Sequence, residues 1–207
     1  MRIDAKIAAL ELKAGKVVAV PTDTVYGLAA LLTHVEAIEA LYILKGRPKH
    51  LPLIVQIAYL SQIYPFLNDV PEDFLKLTDH FWPGALTLVL PVKIELIPEQ
   101  IRSGYKTVGF RIPAHPLLLE ILEVTGPLVV TSANPSGSQA AISAEQVETY
   151  FGNMLPLIDG GIAKERIEST ILLFEEGRWQ LLRQGAISVE VLAEIIGYQP
   201  KVHKQEK

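Results

Sequence analysis

Two arginines stand inside apolar runs, where a charge is costly. Arg111 interrupts Val108-Gly109-Phe110-Arg111-Ile112-Pro113, and Arg183 closes Trp179-Gln180-Leu181-Leu182-Arg183. A guanidinium in a strand must be paired or must face a ligand. Each arginine therefore reads either as half of an internal salt bridge or as the holder of a carboxylate or phosphate. The segment Lys45-Gly46-Arg47-Pro48-Lys49 adds three cations within five residues. Positions two apart on a helix point away from each other, whereas in an extended segment they share a side. Gly46 and Pro48 break any helix, so Lys45 and Arg47 are expected to converge from an extended stretch. A planar fork beside a point charge suits a polyphosphate. The plain alternative is a solvated basic turn.

Three polar clusters follow apolar runs: Thr22-Asp23-Thr24 after Val20, Ser132-Ala133-Asn134 after Val130, and Asp159-Gly160-Gly161 after Ile158. In an open α/β sheet, ligands bind beyond the carboxyl ends of strands, and loops gathered there build a common site. Each cluster taken alone is equally a turn or a helix cap. Other chemistries are missing from the sequence. There is no GxxxxGK[ST] phosphate loop, no GxGxxG and no GxSxG elbow. With no cysteine, and with histidines only at 34, 50, 80, 115 and 203, neither a thiolate nucleophile nor a protein-held zinc is expected. No resident metal ligand is assigned. His80 and His115 read as structural, and Phe81-Trp82-Pro83-Gly84 as a turn anchored by aromatics.

These residues need elements to position them. Apolar periodicity predicts helices over 3–14 (stopped by Gly15), from Val35 to Lys45, from Pro71 to Phe81, over Pro116–Val124, from Ser143 with its capping-box partner Gln146, and over Val189–Ile196. Strands are expected at Val17–Val20, Leu53–Ile57, Ala85–Leu90, Val108–Ile112 and Leu128–Val130, with a hairpin of Thr170–Phe174 and Trp179–Leu182. Residues 22–29 read as a polar turn, and 197–207 as a charged, frayed tail. The alternation implies an α/β fold in one domain over 1–207, with its core at about 10–190. Hydrophobic residues make up 49% and charged residues 20%, which suits a globular chain and argues against disorder. The net charge of −4 does not favour bulk nucleic-acid binding. The N-terminus lacks an apolar signal region, and no apolar run approaches the roughly 20 residues of a membrane span. The expectation is a cytoplasmic protein without membrane contact.

Eight segments together are similar to the YrdC-like family. They are Pro21–Leu28, Lys45–Pro48, Phe81–Thr87, Thr107–Pro113, Thr131–Asn134, Asp159–Gly161, Ser169–Thr170 and Leu182–Ile187, in the family's order and spread over about residues 10–190. The resemblance implies a twisted, largely mixed β-sheet with flanking helices around a concave, locally basic cavity. It implies the short form of a threonylcarbamoyl-AMP synthase, an adenylyltransferase that makes threonylcarbamoyl-adenylate and pyrophosphate from L-threonine, bicarbonate and ATP for tRNA modification. By the same resemblance, Lys45, Arg47, Ser132 and Asn134 are the catalytic set. Thr24, Gln56, Arg111, Ser132 and Ser169 meet threonine, and Arg47, Thr107, Asn134 and Arg183 meet ATP. Magnesium comes with the triphosphate, tRNA-modification proteins are partners, and tRNA or double-stranded RNA is a possible ligand. Three positions depart from the family pattern. Gln56 replaces a common histidine, Leu51 a polar or basic residue, and Ile142 a hydroxyl residue. The alternatives are a non-catalytic RNA-binding paralogue and a paralogue acting on another carbamoyl or acyl substrate.

Overall fold

The computed structural model describes residues 1–153 and 155–202. Capping chemistry sets the helix boundaries. Helix α1 (Ala5–Lys13) starts at Asp4, whose carboxylate accepts the Ile7 N–H at 2.8 Å. Helix α2 (Val35–Lys45) ends at Gly46, whose φ of 59° is a left-handed turn open to glycine; there the Arg47 N–H returns to the Tyr42 carbonyl. Helices α3 (Phe74–Phe81) and α4 (Glu99–Arg102) precede α5 (Pro116–Thr125), which opens on proline. Helix α6 (Ala144–Phe151) is capped by Ser143, and α7 (Val189–Ile196) by Ser188. Gln146 reaches back past Ser143 to the Ile142 N–H at 2.8 Å, so the expected reciprocal box is displaced by one residue.

The strands are β1 (Val18–Val20), β2 (Gly27–Leu31), β3 (Ile54–Gln56), β4 (Leu86–Pro91), β5 (Thr107–Arg111), β6 (Leu128–Ser132), β7 (Thr170–Glu175), β8 (Arg178–Arg183) and β9 (Lys201–Val202). They form one sheet of nine in the order β1-β2-β6-β3-β5-β4-β7-β8-β9. The β3/β5, β4/β7 and β8/β9 pairs are parallel and the rest antiparallel, which makes the sheet mixed, as expected.

The apolar runs are apolar because both faces of the sheet are covered. On one face α1 and α5 bring Ala8, Leu12, Leu118 and Leu122 against Val18, Val20, Leu128 and Val130. On the other, Ile38 and Leu41 of α2, Phe74 and Leu77 of α3, and Leu192 of α7 join the cluster of Leu28, Val55, Phe110 and Val129. Each of the larger side chains among these contributes about 1.5–3 kcal/mol on burial, an upper bound because the unfolded chain already hides some surface.

Several expectations change. The stretch 22–29 is not wholly a turn, because Gly27–Leu31 is a strand paired with β1 and β6. Its Gly-Leu-Ala-Ala-Leu sequence has no β-branched residue, and burial between two neighbours overrides that weak local preference. The helix at Pro71 begins at Phe74, after a turn in which the Phe74 N–H bonds the Pro71 carbonyl. In the segment read as tail, Lys201–Val202 pairs with β8. His203 and the rest of that tail lie outside the described residues.

Candidate active site

The three polar clusters meet in space. Asp23 accepts from the Arg111 guanidinium at 2.5 Å and from the Ala114 N–H at 3.1 Å. Tyr26 donates its hydroxyl to the Gly161 carbonyl at 2.8 Å and accepts the Gly160 N–H at 2.9 Å. The Ala133 N–H bonds the Tyr26 carbonyl at 2.7 Å. The loops after β1 and β6 and the segment after Ile158 are thus fastened into one wall.

Arg111 closes one end of that wall. Its guanidinium donates to the Gly84 carbonyl, the Thr24 hydroxyl and Asp23, at 2.8, 2.8 and 2.5 Å. The aromatic turn Phe81–Gly84 serves to present that carbonyl, with the Trp82 indole N–H holding the Leu86 carbonyl at 2.7 Å. Arg111 is 4% exposed. Burial works against its charge, and Asp23 works for it. Of the five N–H groups of an arginine, three are engaged, which leaves one on each terminal nitrogen for a carboxylate. The two readings of Arg111, salt bridge and ligand holder, are therefore compatible. Gln56 registers beside Arg111 across the parallel β3/β5 pair. Its side-chain oxygen is buried without a hydrogen-bond partner. A buried orphan acceptor costs about 1–3 kcal/mol unless a donor arrives. Ser169 is also near this end, its hydroxyl 2.8 Å from that of Thr87 on β4.

The other end is more positive. Lys45 is the last residue of α2 and is only 3% exposed, so it is not a solvated turn. The extended stretch expected here is also absent: Lys45 is helical, and the left-handed Gly46 folds the chain so that Arg47 comes back beside it. The Lys45 ammonium donates to the Ser132 carbonyl, to the Asn134 carbonyl at 2.7 Å and to the Asn134 side-chain oxygen at 3.2 Å. Three donors meet three acceptors. Lys45 thus fixes the Ser-Ala-Asn loop and, in this geometry, has no proton left for a phosphate. Burial, followed by the Arg47 charge, lowers the Lys45 ammonium to about 8 against the pull of Glu168.

Arg47 bonds the Leu51 and Pro52 carbonyls at 3.3 and 2.8 Å. Leu51 thus contributes backbone where a polar side chain was the family norm. Arg183 bonds the Ser169 carbonyl, the Ser169 hydroxyl and Glu168. Burial lowers both guanidinium groups. A cavity of about 330 Å³ opens here, lined by Asn134, Arg183, Glu168, Arg166 and Val25 among others.

Not every expected residue joins the same end. Ser132 lies four residues along β6 from Leu128, which faces Gln56. It sits at the Lys45 end, about 13 Å along the strand from the Gln56 row. Thr107 opens β5, opposite Pro91 and at the far end of the strand from Arg111. Ile142 contributes its backbone: its N–H goes to Gln146 and its carbonyl accepts the Ala163 N–H at 2.9 Å. Sequence reasoning did not assign Asp23, Glu168, Arg166 or Tyr26 to the site. Asp23 and Tyr26 did stand inside segments singled out in the sequence, Thr22–Thr24 and Pro21–Leu28, whereas Glu168 was signalled only by its adjacency to Ser169.

The Sua5/YciO/YrdC family model, described as "Telomere recombination", matches residues 11–185. The threonylcarbamoyl-AMP synthase of Pyrococcus abyssi is 40% identical over 194 residues, covering 93% of this chain and 57% of that protein. That of Bacillus subtilis is 40% identical over 192 residues, covering 92% and 56%. A putative threonylcarbamoyl-AMP synthase of Mycobacterium tuberculosis is 35% identical over 187 residues, covering 90% and 86%. The chain thus spans little more than half the length of the first two. Among solved structures, P. abyssi Sua5 complexed with L-threonine superposes with a TM-score of 0.92 at 38% identity, over 98% of this chain and 61% of that one. Escherichia coli YciO shares the fold at a TM-score of 0.79 and 23% identity, over 90% and 91%. The chain belongs to the Sua5/YciO/YrdC family.

Proposed function

We propose that the chain is a threonylcarbamoyl-AMP synthase. The observation that carries this reading is a single polar wall with two unlike ends. One end is buried and charge-balanced around Arg111, with an orphan acceptor at Gln56. The other is partly open and holds Lys45, Arg47 and Arg183. An amino acid suits the first end and a triphosphate the second. The names of the relatives, and the L-threonine in the P. abyssi Sua5 crystal, support the assignment.

In this reading Arg111 forks onto the threonine carboxylate, and Thr24, Gln56 and Ser169 meet the rest of the amino acid. The threonine amine attacks the carbon of bicarbonate, the new C–N bond replaces a C–OH bond, water leaves, and N-carboxythreonine results. One of its oxygens attacks the α-phosphorus of ATP, the bond from that phosphorus to the bridging oxygen breaks, and pyrophosphate leaves in line. Arg47 and Arg183 balance the charge that develops, while Lys45 acts through the Ser132–Asn134 loop it holds. Asn134 faces the nucleotide side of the cavity, and Thr107 lies along the same strand face as Arg111. Among the described residues no three His, Asp or Glu side chains converge on a metal site. Magnesium is therefore read as travelling with the triphosphate, which keeps most of its own ligands.

The adenylate would pass to tRNA-modification partners in the cytoplasm, where direct contact with tRNA belongs to the same reading. Among the described residues no helix is long and apolar enough to cross a membrane. The RNA-binding alternative is less well supported, since Arg183 and Arg166 line a cavity and the Lys45 ammonium is buried against backbone rather than set on an open face.

The test is pyrophosphate release from ATP, bicarbonate and magnesium. Release that requires L-threonine supports the synthase. Release that ignores threonine, or requires another amino acid, points to the altered-substrate paralogue. Folded protein with no release removes the catalytic reading.

A further inference from the structure

Glu168 carries the unassigned carboxylate of the open end, 2.8 Å from the Arg183 guanidinium. It also raises the basicity of both Lys45 and Arg47 through space. Its main chain is fixed. The Glu168 carbonyl accepts the Ala186 N–H at 3.1 Å, and Gly185 lies so close that an added Cβ would stand 2.0 Å from that carbonyl. The next two residues are held as well, Ser169 by Arg183 and Thr170 through its hydroxyl to the Ile187 carbonyl at 2.7 Å. Only the tip is free to move, and the Glu168 side chain is 39% exposed at the cavity. One carboxylate thus holds Arg183 in the wall of a cavity that Arg166 also lines, with its charge felt at Lys45 and Arg47.

We infer that Glu168 is an internal counter-anion that occupies the anion site of the empty enzyme and must yield Arg183 to an incoming polyphosphate. The inference rests on the nucleotide-binding half of the proposed function, not on threonine chemistry. A phosphate oxygen replaces the carboxylate on Arg183, and the carboxylate turns to solvent. The exchange weakens the hold on ATP and on pyrophosphate alike, and so helps the product to leave. Asp23 is unsuited to this role, because it is buried and also held by the Ala114 N–H.

The test is calorimetric binding of pyrophosphate, with EDTA and then with magnesium, to the wild-type chain and to Glu168→Gln. The amide keeps the shape and an acceptor for Arg183 while removing the charge. Glu168→Gln should bind metal-free pyrophosphate about fivefold tighter, the size expected of a partly exposed ion pair. Its KM for ATP should fall, with kcat no higher than wild type. Glu165→Gln removes the same charge from the same loop, outside the cavity lining, and should leave pyrophosphate affinity unchanged.

Unchanged affinity in Glu168→Gln overturns the inference, as does equal tightening in Glu165→Gln. Weakened magnesium-pyrophosphate binding with metal-free binding intact also overturns it, by making Glu168 a metal ligand. Tightening in a protein that shows no threonine-dependent turnover leaves the inference standing and removes the synthase reading instead. Wild-type protein that binds no pyrophosphate removes the inference.

Discussion

Arg111 with Asp23 and Arg183 with Glu168 are the same kind of pair in different surroundings. The first is 4% and 6% exposed, the second 36% and 39%. Asp23 has a second donor in Ala114 and lies under the loop from which Glu165 donates its N–H to the Asp23 carbonyl at 2.9 Å. Glu168 is at the mouth of a cavity. A buried pair cannot lose a partner without leaving a naked charge, whereas an exposed pair re-solvates at little cost. The first end of the site is therefore built to hold a fixed geometry, and the second to exchange one anion for another.

The largest expected effect comes from breaking the buried pair. Arg111→Ala should destabilise the fold by about 3–5 kcal/mol, because Asp23 is left buried and uncompensated. Thermal or urea unfolding reads this out, and a loss within 1 kcal/mol would show that Asp23 finds other partners. Where folded protein is recovered, the threonine requirement should rise steeply. Lys45→Met should come next. It removes one donor from three carbonyl-type acceptors, at a cost of roughly 1–3 kcal/mol. Catalysis should fall further than that stability loss explains, because the Ser132–Asn134 loop loses its holder.

Lys45 also gives a pH signature. Its folded value, about 8, lies below the ordinary lysine value of 10.5. Between those values the unfolded chain binds the extra proton, so this group's contribution to stability rises with pH across that window. Turnover should move the opposite way and decline as pH climbs through about 8, when the ammonium that holds the loop is lost. A turnover profile flat from pH 7 to 9 would remove the charge requirement at Lys45.

Arg183→Ala should cost about 1–2 kcal/mol of stability, from a partly exposed pair and the lost bonds to Ser169, yet raise the ATP requirement severalfold. The smallest effect is expected from Gln56→His. Threonine binding should change modestly and acquire a titration near the ordinary histidine range of about 6.5, absent from the wild type. A pH-independent threonine requirement in that variant would place residue 56 outside the substrate's reach.

Much of this site was legible in the sequence. Arg111 and Arg183 announced themselves by standing in apolar runs, Lys45 and Arg47 by the density of cations around them, and Ser132 with Asn134 by the family resemblance. Helix ends were legible at Ser143, whose hydroxyl caps α6, and at Gly197, whose left-handed backbone stops α7, but not at Asp4, where the helix was expected to begin at residue 3. The unread parts depend on tertiary neighbours. Gly27–Leu31 lacks strand-forming residues and is a strand because β1 and β6 flank it. The role of Lys45 could not be read, because its three acceptors are mostly backbone oxygens that every residue carries. Glu168 looked like any surface glutamate until the fold set it against Arg183.

The most direct test of a two-ended site is a pair of steady-state measurements, KM for ATP and KM for L-threonine, on Arg183→Ala beside Gln56→His. The account predicts a crossed result: Arg183→Ala raises KM for ATP far more than KM for threonine, which feels only the lost bonds to Ser169, while Gln56→His shifts KM for threonine and leaves that for ATP. Both constants moving together in both variants would contradict it, and would make the two ends a single undivided pocket.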